Sequence, residues 1–124
     1  MVKTDFKKGQ TVWLYLTPHA YEYHKGMTAE ERIKAGTVVS VGRKYITVHA
    51  SYGEEKFEIK NDFIHVRESG CVQYILRATK EEALLYSKRE EIMEYILPKF
   101  GWGIVNRMSF EDLRTIKSIM EKYQ

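Results

Sequence analysis

The sequence predicts an α+β fold: a small antiparallel β-barrel over residues 1–78, followed by two C-terminal α-helices over residues 79–124. Three observations carry that expectation. Hydrophobic residues in the first part alternate with period 2, the mark of strands with one dry face. From Thr79 the period changes to 3.6, the spacing of an amphipathic helix. Between them, five or six short strands with close turns leave open edges unless the sheet closes on itself.

The elements follow in chain order. "QTVWLYL" (10–16) sets Val12, Leu14 and Leu16 on one face and Trp13 and Tyr15 on the other, after a turn at Gly9. "GTVVSV" (36–41) and "YITVHA" (45–50) read as a hairpin joined at Gly42-Arg43-Lys44, with Gly42 expected at positive φ. "SYGEE" (51–55) marks the next turn, and "EKFEIK" (55–60) alternates Phe57 and Ile59 with charged neighbours. "NDFIHV" (61–66) is a turn into a weak strand. "SGCVQYILRAT" (69–79) carries the last strand, with Val72, Tyr74 and Leu76 on one side.

Thr79 and Glu82 fit a capping box that opens the first helix, whose apolar positions recur to about Leu97 before Pro98 and "GWG" (101–103) break the pattern. Ser109 and Glu111-Asp112 open the second, with Phe110, Leu113, Ile116, Ile119 and Met120 in a stripe. Both helices are expected to pack on or beside the barrel. Trp102, between two glycines, is expected to be buried there. Residues 17–35 form a long loop between the first two strands, with Thr28 and Glu31 capping a short helix, "AEERIKA".

"KKGQTVWLY", "GTVVSVGRKYITV" and "KFEI" together resemble the strand order of small SH3-like and KOW-type barrels. The chain is similar in particular to short β-barrel-domain proteins of phages and mobile elements in Firmicutes. The resemblance is clear over the first half. The long loop at 17–35 departs from a true KOW module. The resemblance implies a barrel of a kind encoded by phages and mobile elements. Small phage proteins of this size include counter-defence inhibitors such as anti-CRISPR proteins, so that class enters by analogy.

Size and composition bound the function. The chain has 124 residues, enough for a single domain with its own core. No apolar run reaches the roughly 18 residues needed to span a bilayer. One cysteine, Cys71, permits no internal disulfide and suits a cytoplasmic protein. Of the +3 net charge, residues 1–60 supply ten Lys/Arg against seven Asp/Glu, while residues 61–124 balance at ten and ten. That surplus favours anionic partners without the dense basic stripe of a dedicated nucleic-acid binder.

Two contact surfaces follow. Lys7, Lys8, Arg43 and Lys44, with Tyr45 behind them, are suited to nucleic acid or an acidic partner: the cations meet phosphates and an aromatic stacks on a base. A solvated hairpin tip accounts for the same residues. Tyr21, Tyr23 and His24 put aromatic contact area on the long loop, as protein interfaces do. Neither a metal nor another cofactor is expected, since His19 and His24 lack the further ligands that zinc needs. Cys71 reads as a buried inert thiol, His65 as partly exposed, and Glu54-Glu55 as a solvated face. The expectation is therefore a non-enzymatic binding protein that engages a protein or nucleoprotein complex, with direct nucleic-acid binding as the alternative.

Overall fold

The computed structural model describes residues 5–50, 53–67 and 70–124. The chain divides into two compact units, Met1–Glu90 and Glu91–Gln124. The first holds six strands: β1 (Thr11–Leu16), β2 (Ile33–Val41), β3 (Tyr45–Ala50), β4 (Gly53–Glu58), β5 (Ile64–Val66) and β6 (Tyr74–Arg77). Each runs antiparallel to the next, and β6 pairs back onto β1, so the sheet is a closed barrel. Closure removes the open edges that so short a sheet would otherwise present.

The inward positions follow from register, because directly opposed residues of an antiparallel pair share a face. Leu14 opposes Leu76 on β6 and Lys34 on β2, Val12 opposes Gly36, and Ile46 opposes Phe57. Val12, Leu14, Leu76, Ile46, Val48 and Phe57 are completely buried, so the alternation expected for β1 holds. The outer face of β1 is not left wet. Tyr15 is also buried, its ring edge-on to Tyr86 at 5.0 Å. Gly36 is the inward position where no side chain fits: a Cβ there lies 2.8 Å from Val48 Cγ1 and 3.1 Å from His49 O.

Two boundaries differ from expectation for clear reasons. The Thr28–Glu31 capping box forms, with Thr28 N donating to Glu31 Oε1 (3.0 Å) and Glu31 N to Thr28 Oγ1 (3.2 Å). No helix grows from it, because Ile33, Lys34 and Ala35 are taken by β2 to pair with Tyr15, Leu14 and Trp13. At the β2–β3 turn Gly42 is outside the left-handed region. Val41 opposes Ile46, so four residues span the turn, and Gly42 N donates to Tyr45 O (2.8 Å). β4 begins at Gly53, and the start of the turn expected at 51–55 lies outside the described residues, as does Ser69 of the last expected strand segment.

After β6, Thr79 Oγ1 accepts from Glu82 N (3.2 Å) and opens α1 (Lys80–Lys99). The first half of α1 belongs to the barrel unit. Ala83 and Ser87 are completely buried, and Ser87 Oγ donates to Ala29 O (2.7 Å) in the long loop. Pro98 does not end the helix. It falls in the last turn, where its missing N–H removes only one bond. The second unit adds a single turn, α2 (Trp102–Val105), and then α3 (Phe110–Glu121), capped by Ser109 Oγ accepting from Asp112 N (3.1 Å). Three helices thus stand where two were expected. No residue from 91 to 124 is buried, and Trp102 is 81% exposed, contrary to the burial expected for it. No helix of the described residues is long and apolar enough to cross a membrane.

Candidate functional site

The two surfaces expected from sequence lie at opposite ends of the barrel. β1 starts, and β2 and β4 end, at one mouth; the long loop and the β5–β6 connection lie at the other. Call these the basic end and the loop end.

At the basic end, Gly9 turns the chain at φ +85 and donates from its N–H to Val38 O (2.8 Å). Gln10 clamps the turn from both sides: its Oε1 accepts from Lys7 N (2.8 Å) and its Nε2 donates to Asp5 O (3.0 Å). Lys7 and Lys8 therefore project where β1 begins. β2 continues past that point to Val41 and delivers Arg43 and Lys44 to the same end. Ile59 N donates to Lys44 O (3.0 Å), which brings the 3-10 turn Ile59–Asn61, and with it Lys60, beside the hairpin tip. All five cations are exposed, and none makes a salt bridge among the described residues. Tyr45 is half-buried, with Lys44 Nζ 5.3 Å and Lys56 Nζ 5.8 Å from its ring centroid.

The floor of this end is packed and hydrogen-bonded. Phe6 and Phe63 are buried against each other, ring centroids 5.0 Å apart. Asp62 and Phe63 hold left-handed backbone (φ 54 and 57), an uncommon state for residues with a Cβ. The state is tied down on every side. Arg77 donates to Asp62 Oδ2 (2.9 Å) and Asp62 O (3.2 Å), and Leu76 N donates to Phe63 O (3.1 Å).

The loop end has charge inside it, which sequence reading missed. Lys34 shares the inward face with Leu14, and it is met there by Glu22 from the loop. Tyr74 OH donates to Glu22 Oε1 (2.7 Å), and Lys34 Nζ lies 4.6 Å from the Tyr74 ring. Burial alone would raise the Glu22 pKa, but the hydrogen bonds from Lys34 and Tyr74 outweigh it and hold the carboxylate below its usual range. Beside this network His65, opposite Phe57 and with a fully covered side chain, contacts Glu55 Oε2 through Nε2 (2.5 Å). Gln73 N donates to its Nδ1 (3.4 Å). One ring nitrogen gives a proton and the other accepts one, which is the neutral imidazole. Burial lowers the His65 pKa from its ordinary 6.5, and Glu55 opposes that only in part.

These contacts correct two expectations. His65 is buried, not partly exposed, and Glu55 is half-buried against it, not part of a solvated face. Arg32 is buried as well, its guanidinium bonded to Tyr15 OH and set over the rings of Tyr15 (4.8 Å) and Tyr23 (5.3 Å). Of the three loop residues named from sequence, Tyr23 is therefore half-buried packing. Tyr21, 81% exposed, and His24 are the ones that face solvent. Tyr21 lines a cleft of about 520 Å³ with Glu55, Arg67, Gln73 and Tyr74. Cys71 is exposed, not the buried thiol expected.

A family model described as a phage ProQ C-terminal-like domain matches residues 1–123. No curated protein and no solved structure matches the chain.

Proposed function

The chain belongs to the phage ProQ C-terminal-like domain family, and from that premise we propose a cytoplasmic, non-enzymatic binding protein whose basic barrel end contacts nucleic acid. One observation carries the reading: strand register brings two sequence-distant cation pairs, Lys7-Lys8 and Arg43-Lys44, to the same end of a closed barrel, next to Lys60. Five exposed cations with no salt bridge among the described residues suit a phosphate backbone, which is recognised by charge and position. Tyr45, between Lys44 and Lys56, supplies a face for a base.

The test is a fluorescence-anisotropy titration with single-stranded and duplex DNA and RNA at two salt concentrations. Binding is expected to weaken steeply with salt. Arg43→Ala/Lys44→Ala is expected to reduce the log–log salt slope by about two, one unit per lost phosphate contact. Salt-independent binding, or no binding at low salt, removes this reading.

A second reading rests on Tyr21 and His24, which project from the loop at the opposite end. They suit a protein surface, so that the barrel engages a protein or nucleoprotein complex. Counter-defence inhibition of the anti-CRISPR kind is one form of it. There, Tyr21→Ala weakens binding to the complex while the salt slope stays unchanged.

A further inference from the structure

The loop end of the barrel opens into the cleft of about 520 Å³ lined by Tyr21, Glu55, Arg67, Gln73 and Tyr74. That volume lies within the range of small-molecule sites. Register builds two of its walls. Lys56 opposes Val66 and Phe57 opposes His65, so one step further out Glu55 and Arg67 keep the parity of the inward face at the mouth. Gln73 enters just before β6, its backbone N–H on His65 Nδ1. Glu22 ties the long loop to Tyr74 OH, which sets the exposed Tyr21 at the rim.

The polar groups of this cleft are held in place but not saturated. Glu55 Oε2 takes the Nε2–H of His65, whose side chain is fully covered, so the carboxylate is fixed as an acceptor. Its Oε1 makes no hydrogen bond among the described residues. The Gln73 side-chain amide makes none either. Arg67 forms no salt bridge among the described residues, although a carboxylate lines the same cleft.

Those groups narrow the ligand. A simple cation is attracted by Glu55 and repelled by Arg67, and a simple anion meets the reverse. What fits is a planar ring for Tyr21, a donor edge for Glu55 and an anionic group for Arg67. Gln73 selects among donor edges. A carboxylate and an amide together offer two acceptors and a donor. Among the common bases only guanine shows two adjacent donors, N1–H and the N2 amino group, next to an acceptor, O6.

We propose that this cleft binds a guanine nucleotide. The base stacks on Tyr21, its N1–H and amino group donate to Glu55, O6 accepts from the Gln73 amide, and the phosphate meets Arg67. The guanine is a free nucleotide or an unpaired base of a strand, since unstacked bases are read by the same ring and edge contacts. The site lies at the opposite mouth from the five basic-end cations and does not depend on them.

The experiment is calorimetric titration of the full chain with guanosine monophosphate (GMP), the adenosine, cytidine and uridine monophosphates, and inosine monophosphate (IMP), which lacks only the N2 amino group. GMP is expected to bind tightest, and IMP at least about tenfold more weakly, the loss of one hydrogen bond to a charged group. Tyr21→Ala should weaken GMP by at least about fivefold through lost stacking. Arg67→Ala should weaken it by about two- to fivefold, as for an exposed ion pair. Glu55→Gln still accepts from His65 but turns an amide N–H toward the base, so GMP and IMP should then bind alike. Circular dichroism is the fold control for every variant, and Tyr21 and Arg67 are exposed enough to be replaced without unfolding the barrel. The trinucleotide UGU separates the two sources: at least about tenfold tighter than GMP points to a strand, equal affinity to the free nucleotide. Equal binding of all five monophosphates, or no binding of GMP and UGU alike, overturns the proposal. So does GMP binding that survives Tyr21→Ala but is lost in Arg43→Ala/Lys44→Ala, because it then belongs to the basic end.

Discussion

In the barrel unit, apolar side chains lie inside a closed sheet, whereas in residues 91–124 side chains of equal hydrophobicity lie outside. Phe57 and Trp102 make the contrast concrete: one is wholly covered, the other 81% exposed. The difference lies in how each element satisfies its backbone. A strand needs a neighbour for its N–H and C=O groups, so six strands force each other into a barrel, and burial follows from closure. A helix bonds to itself and places no such demand on a neighbour. An amphipathic stripe therefore states what a helix can cover, not what it does cover.

The largest break of this contrast is Phe57→Ala. The ring is fully buried, opposes Ile46 and His65 across the sheet, and stands 5.5 Å from the His65 ring. Its loss leaves a cavity in a core that closure keeps from collapsing, so guanidinium unfolding is expected to show a cost of about 3–5 kcal/mol. A cost below about 1 kcal/mol would mean that the barrel repacks as a loose element does.

A smaller effect comes from pH, and it belongs to the loop end of the barrel. The His65 pKa is lowered in the folded state by burial, so the unfolded chain binds its proton more readily. Its contribution is fully present above about pH 6.5, the unfolded value, and is lost as pH falls through the lowered folded value. Protonation puts a hydrogen on Nδ1, where Gln73 N–H now donates, and Glu55 and Arg67 are the charged groups that modulate it. Denaturation midpoints from pH 8 to 5 should fall on the acid side in the wild type, and His65→Gln should flatten that slope. An equal slope in both would remove His65 as its source.

What is legible in the sequence divides along the same line. Val12, Leu14 and Leu16 are readable because period 2 in an apolar run is the pattern of a half-buried strand and matches no helix face. Thr79 is readable because its cap is local. Lys7, Lys8, Arg43 and Lys44 stand out by charge alone, but their shared end depends on β2 overrunning β1, which register decides. Lys34, Glu55 and His65 escape sequence reading for a physical reason. A polar residue in an alternating strand reads as the wet face, and only the partners reveal that it is covered: Glu22 for Lys34, His65 for Glu55. A signal does exist. Lys34 and Gly36 stand at the same parity as Val38, so extending the alternation backwards along β2 puts Lys34 inside.

Trp102 sharpens the comparison with the smallest effect. Burial is the natural expectation for a large ring between two glycines, and a Trp→Ala change in a core costs about 3–5 kcal/mol. At its observed exposure the same change should alter thermal unfolding of the barrel by no more than about 0.5 kcal/mol, as at other surface positions. Circular dichroism is the suitable probe, because the variant loses one of two tryptophan fluorophores. Fluorescence then reports the other half of the argument. Trp13 is half-buried on the barrel under Lys80, 5.4 Å from its ring, and Trp102 faces water. Removing Trp102 should therefore shift emission to the blue, whereas removing Trp13 should shift it to the red. A blue-emitting Trp102 would mean that its ring is covered in solution, and the helical unit would then obey the same rule as the barrel.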